Sequence, residues 1–216
     1  MGSFYEVGPS NIEPGQIVII PSLYPNKDRL ILNINVQADP SEQNLEAIVS
    51  PFEQRTIHVP VKSLGLKSDE YAFIIKGKLR PAVVIAGGPT RWPMNPSEQI
   101  YICVPVYTVE KPRIKQKFVI EVQALKYPSM FYLPLSTQHN IEECVARFAL
   151  IQVAHGTAVK PLMASGKPVM LSTDFWGLLK TQLINFCGGV LPENIQNDLR
   201  AYGEIVMEEA KAQGIS

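Results

Sequence analysis

Apolar residues in the first three quarters of the chain fall into short runs that are rich in Val, Ile, Tyr and Phe. Proline, glycine or asparagine ends most of these runs, and proline both stops helices and cannot donate to a strand ladder. Short β-branched and aromatic runs with such ends are typical of strands. Strands are therefore predicted at residues 16–21, 29–36, 55–61, 71–76, 81–87, 99–109, 117–125 and 143–156.

The run at 117–125 also alternates. Phe118, Ile120 and Val122 occupy every second position and alternate with Val119, Glu121 and Gln123. Successive residues of a strand point to opposite faces, so this pattern predicts a strand with one face in solvent.

The spacing changes after about residue 171, where apolar residues recur every three or four positions. This period predicts a helix that ends at Gly188, because glycine readily takes the left-handed conformation found at helix C-termini. The apolar stripe of the helix contains Phe175, Trp176, Leu178, Leu179, Leu183, Ile184, Phe186 and Cys187. Pro192 then opens a second predicted helix at 192–213.

Many strands followed by two helices predict a mainly β fold with C-terminal α-helices, which is a β+α class. The expected architecture is a compact β-barrel or a strongly curved sheet with the helices packed on it. An α/β fold needs helices between the strands, and the pattern indicates none there. Residues 38–70 are polar and are predicted to form an insertion between strands, with room for a hairpin of its own.

The charges of the 216-residue chain balance, with 20 Lys and Arg against 20 Asp and Glu. Any nucleic-acid-binding surface therefore has to be a local patch. Apolar runs such as residues 17–20 are far shorter than the roughly 20 residues of a membrane helix. The first ten residues lack the basic and apolar regions of a signal peptide. A cytoplasmic protein without membrane contact is predicted.

The cysteines and histidines indicate no metal site. Cys103, Cys144 and Cys187 are far apart and have no histidine at metal-binding spacing, so they are predicted to be reduced thiols in buried or half-buried positions. Common catalytic and phosphate-binding motifs such as the P-loop and the nucleophile elbow are absent. Among the three histidines, His155 ends an apolar strand at a glycine turn, where its side chain can project towards a ligand.

Basic residues and hydroxyls gather at the ends of two predicted strands. Lys78 and Arg80 come immediately before one apolar run, and Tyr107 and Thr108 close the next. If the two strands are antiparallel partners, Arg80 lies at the same edge of the sheet as Tyr107 and Thr108. Arginine binds phosphate through two parallel hydrogen bonds and stabilises charge that develops on phosphorus, so this edge is predicted to bind a phosphodiester.

A basic strip follows that edge, with Lys111, Arg113, Lys115 and Lys117 at every second position. In an extended segment all four side chains point to one face. Two hypotheses stay open for this strip. It tracks the phosphates of a polyanion, or it is an edge strand whose charges prevent aggregation.

Four stretches, in this order, resemble the PemK/MazF-like toxins: "PGQIVIIP", "LRPAVVIAGG", "IYICVPVYT" and "ARFALIQVAHGTAVKPL", followed by a helix. The resemblance implies an SH3-like barrel, with residues 1–216 as a single domain that carries an insertion at about 22–70 and an extra helix at about 192–213. It implies a growth-inhibiting endoribonuclease of a toxin–antitoxin system, which cleaves single-stranded RNA without a metal or other cofactor. Such a protein acts as a homodimer and is inhibited by a cognate antitoxin protein.

The resemblance also implies roles for individual residues. Arg80 matches the catalytic arginine of the family's Arg-Pro step, and Thr108 matches its catalytic threonine after a slip of one residue. The implied reaction is attack of the RNA 2′-hydroxyl on the adjacent phosphorus to give a cyclic phosphate, with His155 as the candidate general base. Lys78, Tyr107 and the four residues of the basic strip are the candidate RNA-binding residues.

A different hypothesis fits the same sequence, namely an SH3-like barrel that has lost catalysis and binds a protein or a nucleic acid. Gln152 and Thr157 match the family's "Q-x-R-T" turn, but no arginine lies between them. A longer segment also separates Ile20 from Arg80 than in the family. These departures favour the binding module, whereas Arg80, Thr108 and the basic strip favour the enzyme. A third hypothesis is a phage or plasmid structural protein built on a small barrel.

Overall fold

The computed structural model describes residues 3–23, 30–34, 47–51, 73–74, 77–89, 99–109 and 114–215. The chain forms two compact units, one made of Met1–Ser22 with Leu79–Ser216 and the other of Leu23–Lys78. The strands are β1 (Tyr5–Val7), β2 (Ile17–Leu23), β3 (Leu30–Ile34), β4 (Ala47–Pro51), β5 (Phe73–Ile74), β6 (Gly77–Pro89), β7 (Gln99–Thr108), β8 (Met130–Leu133), β9 (Cys144–Arg147), β10 (Gln152–His155), β11 (Lys160–Pro161), β12 (Met163–Ala164) and β13 (Lys167–Leu171). The helices are α1 (Gln116–Gln123), α2 (Thr173–Phe186) and α3 (Glu193–Ala212).

Seven strands form the largest sheet, in the order β11-β2-β6-β7-β9-β8, with β10 also paired to β7. Strand β7 is antiparallel to β6 along one side, so the pairing predicted from the two apolar runs is confirmed. Along its other side, β9 pairs with Val106–Thr108 and β10 pairs with residues 100–103. The mixed β+α class predicted from the element pattern is therefore confirmed.

The closed barrel is wrong for the part of the chain that the structure describes, because the sheet ends at β8 and β11. The single strand predicted at 143–156 is broken by a 3₁₀ turn at Phe148–Leu150. Phe148 lies in this turn and its side chain is buried in the core, and the turn interrupts the pairing with β7. Each of the two resulting strands covers only half of β7, and no described pairing joins either of them to β11.

Two smaller sheets complete the strand pairing. In the first, β13 lies between β1 and β12, and Tyr5 stands opposite Leu171. The second sheet has the order β4-β3-β5 and lies in the unit Leu23–Lys78. The strands predicted at 29–36 and 71–76 contain β3 and β5, whereas the strand predicted at 55–61 lies outside the described residues.

The two faces of β7 contact different apolar clusters because successive side chains alternate. Val104 and Val106 pack in the cluster that contains Leu179 of α2, whereas Tyr101 and Cys103 belong to a cluster on the opposite face. Strand β7 is thus buried on both sides between Cys103 and Val106, whereas Ile102 and the two ends of the strand are more exposed.

The strand predicted at 117–125 is wrong, because this segment forms α1. Val119 and Val122 lie three positions apart, and both are buried against Val109 and Val145. This is the spacing of one helix face. Phe118 and Val122 are separated by four residues, so they fit the period of a strand as well as that of a helix. The alternation therefore did not distinguish the two structures.

The two C-terminal helices are confirmed at the predicted positions, as α2 and α3. Gly188 has a φ of 75°, which is the left-handed conformation expected after the first helix. Cys103 and Cys144 are buried as predicted, but Cys187 is exposed, so the prediction fails for this thiol. None of the helices in the described ranges combines the length and the apolar character needed to cross a membrane.

Gly203 sets the distance between α3 and the end of α1. A Cβ atom on Gly203 would lie 2.6 Å from the backbone oxygen of Ala124. We expect Gly203→Ala to lower the free energy of unfolding by about 1–3 kcal/mol, because the two helices have to move apart. Gly177→Ala is the matched control, since no atom lies within 4 Å of its added Cβ. Better helix propensity should stabilise that variant by up to about 1 kcal/mol. Equal midpoints in urea for the two variants would contradict the close helix contact.

Candidate functional site

Arg80 of β6 and Tyr107 of β7 lie side by side, as the predicted antiparallel pairing of these two strands requires. Continuing the β6–β7 register beyond the Ala82–Pro105 pair brings Arg80 level with Tyr107. The guanidinium carbon of Arg80 lies over the Tyr107 ring, 4.5 Å from its centroid. Both residues are half-buried, so the charge is held at the point where the sheet emerges from the core.

A second arginine, which is not among the predicted site residues, reaches the same ring. The guanidinium carbon of Arg147 lies 5.4 Å from the centroid of Tyr107. Arg147 ends β9, on the other side of β7 from β6, and its side chain is exposed. An arginine at the end of an otherwise apolar strand is the signal that could have indicated it. We refer to these three side chains as the Arg80–Tyr107–Arg147 cluster.

Thr108 belongs to the opposite face of the sheet. Its hydroxyl donates a 3.0 Å hydrogen bond to Glu142 Oε2, and its partner across the strands is Cys144 in the α2-side core. Burial raises the pKa of the Cys144 thiol to about 11, although the neighbouring Thr108 hydroxyl acts in the opposite direction. Because side chains of adjacent residues alternate, Thr108 cannot share a face with Tyr107 and Arg80. The predicted convergence of guanidinium and threonine hydroxyl is therefore not found.

His155 lies at the far end of β7 from the cluster. It pairs with Ile100, seven residues before Tyr107, which corresponds to about 23 Å along a strand. Its Nδ1 lies 2.8 Å from Thr157 Oγ1 and accepts a hydrogen bond from the Thr157 backbone N–H. The histidine shapes the turn after β10, and the structure does not bring it to Arg80 as a general base.

The "QVAHGT" turn has a clear structural role at that end of the sheet. The amide nitrogen of Gln152 donates a 3.1 Å hydrogen bond to the backbone oxygen of Pro21 in β2. This bond spans the gap between β10 and β2 across which no strand pairing is described. Gln152 therefore joins β10 to β2, and Thr157 bonds to His155 within the turn that follows β10, so both residues have structural roles.

The basic strip is only partly described. Lys115 precedes α1 and Lys117 lies in its first turn, and both side chains are exposed. The extended geometry that would align all four cations is wrong at Lys117, because that residue is helical. Lys111 and Arg113 lie outside the described residues. Lys78 is an exposed residue of β6 and belongs to the second compact unit.

The arrangement suits an anionic ligand. Guanidinium groups stay charged at every physiological pH, and their planar donors match the oxygens of a phosphate. The aromatic ring stabilises each cation by about 0.5–1 kcal/mol at an exposed site, which restricts the rotamers of two long side chains. The cluster therefore presents two positive charges on one aromatic ring, one from a half-buried arginine and one from an exposed arginine.

Comparison with known proteins adds no identification. No family model matches the sequence, and no curated protein matches it either.

Proposed function

We propose that this protein is a PemK/MazF-like toxin that cleaves single-stranded RNA, and that Arg80 of the Arg80–Tyr107–Arg147 cluster binds the phosphate at the cleaved bond. The observation that carries the proposal is the approach of two guanidinium groups to one tyrosine ring, one of them from the Arg-Pro step of β6 that resembles that family. RNA supplies the polyanion that such a cluster attracts.

The proposed reaction needs no cofactor. The 2′-hydroxyl oxygen attacks the adjacent phosphorus, so that an O2′–P bond forms while the P–O5′ bond breaks. The 2′-hydroxyl proton passes to water, and the departing O5′ takes a proton from water. The products are a 2′,3′-cyclic phosphate and a 5′-hydroxyl end. Arg80 would stabilise the negative charge that grows on the non-bridging oxygens, which is a major source of rate enhancement in such reactions.

The family's regulation and assembly enter as part of the same proposal. A toxin of this class would be held inactive by a small antitoxin protein and would act in the cytoplasm as a homodimer. A basic cluster on a chain of zero net charge is a suitable target for an acidic antitoxin segment, because oppositely charged surfaces attract each other selectively.

One observation favours a second candidate, an RNA-binding module that does not cut. Thr108 faces away from Arg80, and His155 lies at the other end of β7, so two of the three residues expected to act chemically are elsewhere. Phosphate binding would depend only on the two arginines, so it does not require Thr108 or His155 to lie near Arg80.

The deciding experiment incubates the purified full-length chain with a long single-stranded RNA in EDTA and maps the ends of the fragments. We expect fragments whose 5′ ends accept phosphate from a kinase directly and whose 3′ ends carry a cyclic phosphate. Intact RNA together with a mobility shift would favour the binding module. Intact RNA without any binding would overturn both candidates.

A further inference from the structure

Tyr107 lies between two arginines that come from different strands. Strand β7 has β6 on one side and β9 on the other, so Arg80 and Arg147 approach the tyrosine from opposite sides. Both guanidinium carbons lie over the ring, at 4.5 Å and 5.4 Å from its centroid. A base of a single-stranded nucleic acid usually stacks on such a ring, but here cations already cover it.

The two arginines extend from the strands on either side of the one that carries the tyrosine. Neighbouring strands lie about 4.8 Å apart, so the backbones of β6 and β9 are separated by about 10 Å. Because the two side chains start this far apart and approach the ring from different strands, each guanidinium group can contact a different phosphate of one extended strand.

The exposure of Arg147 supports a role for it in binding. Its side chain is in solvent, and it forms no ion pair within the ranges that the structure describes. Across the strands its partner is Met130, at the end of an otherwise apolar strand. A cation held at a fixed angle by an aromatic ring is prepared for an anion, since less rotamer freedom is lost when it binds.

We infer that Arg147 is a second phosphate-binding residue and that Tyr107 is a positioning residue, so that the cluster binds two phosphates of one RNA strand and leaves the bases unread. This inference rests on the proposed function, since it assumes that the anion is RNA. It adds that recognition at this site follows the backbone and that the tyrosine acts through its ring and not through its hydroxyl.

The test measures binding of a 2′-O-methyl oligouridylate of about ten nucleotides, a length within the usual site size, at several potassium chloride concentrations. The blocked 2′ oxygen prevents cleavage, so affinity is measured alone. For single strands the slope of log affinity against log salt changes by about 0.7 for each phosphate contact. We expect Arg147→Ala to lower the slope by about that amount and to weaken binding roughly tenfold to a hundredfold.

Variants of the ring separate positioning from mere packing. Tyr107→Phe keeps the ring and should bind as the unaltered protein does, whereas Tyr107→Leu should weaken binding about as much as the loss of one arginine. Lys180→Ala is the matched control, because Lys180 lies 5.4 Å from the Trp176 ring in another part of the protein and should leave the slope unchanged.

The outcomes distinguish this inference from the proposed function. In one outcome the unaltered protein binds the oligonucleotide, Arg80→Ala weakens binding, and Arg147→Ala leaves the salt slope unchanged. This result would overturn the second phosphate contact and leave the proposed function intact. If the unaltered protein does not bind, the proposed function fails and the inference fails with it. Should Tyr107→Leu not fold, the guanidinium NMR signal of Arg147 in the unaltered protein decides, since it must shift when the oligonucleotide is added.

Discussion

Replacement of Arg80 by alanine is expected to reduce the rate of RNA cleavage by about a hundredfold to a thousandfold, which is the usual cost of removing one donor that stabilises developing charge. The same change should have little effect on thermal unfolding. Arg80 is a half-buried residue near the start of β6, and its contact with Tyr107 contributes on the order of 1 kcal/mol. Cleavage of a fluorogenic RNA and the melting temperature, measured on the same preparation, check the two expectations.

Thr108→Val is the control that separates the structure from the family resemblance. The resemblance gives Thr108 a catalytic role, but its hydroxyl bonds to Glu142 on the face of the sheet opposite Arg80. We therefore expect Thr108→Val to keep the cleavage rate within about threefold, since an exposed hydrogen bond contributes little. A large loss in a folded Thr108→Val protein, with Arg80→Ala still active, would reverse the assignment of the two residues.

Arg80→Lys adds a second comparison. Lysine keeps the charge but presents a compact ammonium in place of the planar group that lies over the Tyr107 ring. We expect this variant to retain the salt dependence of binding and to lose most of the rate, because geometry and not charge alone orients the phosphate.

The central strand pair could be predicted because burial on both faces leaves a simple signature. Residues 81–87 and 99–109 are mostly apolar, and Arg80, Glu98 and Glu110 lie directly beside them in the chain. A strand that is buried on both faces is apolar along its whole length, so it can be recognised without knowing which strands lie beside it. The proximity of Arg80 and Tyr107 could be predicted because antiparallel strands place the start of one beside the end of the other, and the structure contains this contact.

The face on which each site residue lies could not be predicted with the same success. Tyr107 and Thr108 were treated as one group at a strand end, although adjacent residues of a strand always point to opposite sides. The family likeness requires a slip of one residue to align Thr108, and one residue is the step that changes the face. Arg147 escaped notice because its strand is four residues long and its partner across the sheet was unknown.

Short elements were missed for a different reason. Strand β1 has three residues and is held by pairing with β13, far away in the chain, so no local pattern indicates it. Helix α1 was assigned as a strand because its β-branched residues favour strands, and tertiary packing against Val145 overrides that weak preference. Pairing and packing between distant segments decide both cases, and a single sequence does not contain that information in local form.

Leu179→Asp is expected to have the largest effect on stability of any single change considered. Leu179 is completely buried and packs with Phe175 and with Val104 and Val106 of the central strand. An aspartate there removes apolar contacts that are worth about 2–5 kcal/mol in a core. It also places a carboxylate where solvation is lost, at a further cost of several kcal/mol. The sum approaches the total stability of an ordinary domain, which is about 5–15 kcal/mol.

We therefore expect the Leu179→Asp protein to be recovered unfolded or aggregated, without a cooperative transition in circular dichroism on heating. Ile184→Asp is the matched control, because Ile184 lies on the same helix and is 47% exposed, whereas Leu179 is completely buried. Its effect should be about 1 kcal/mol or less, as for surface positions generally. A Leu179→Asp protein whose melting temperature is close to that of the unaltered protein would mean that α2 does not pack on β7. The core that holds β7 in place would then differ from the one described, and so would the position of Tyr107 between the two arginines.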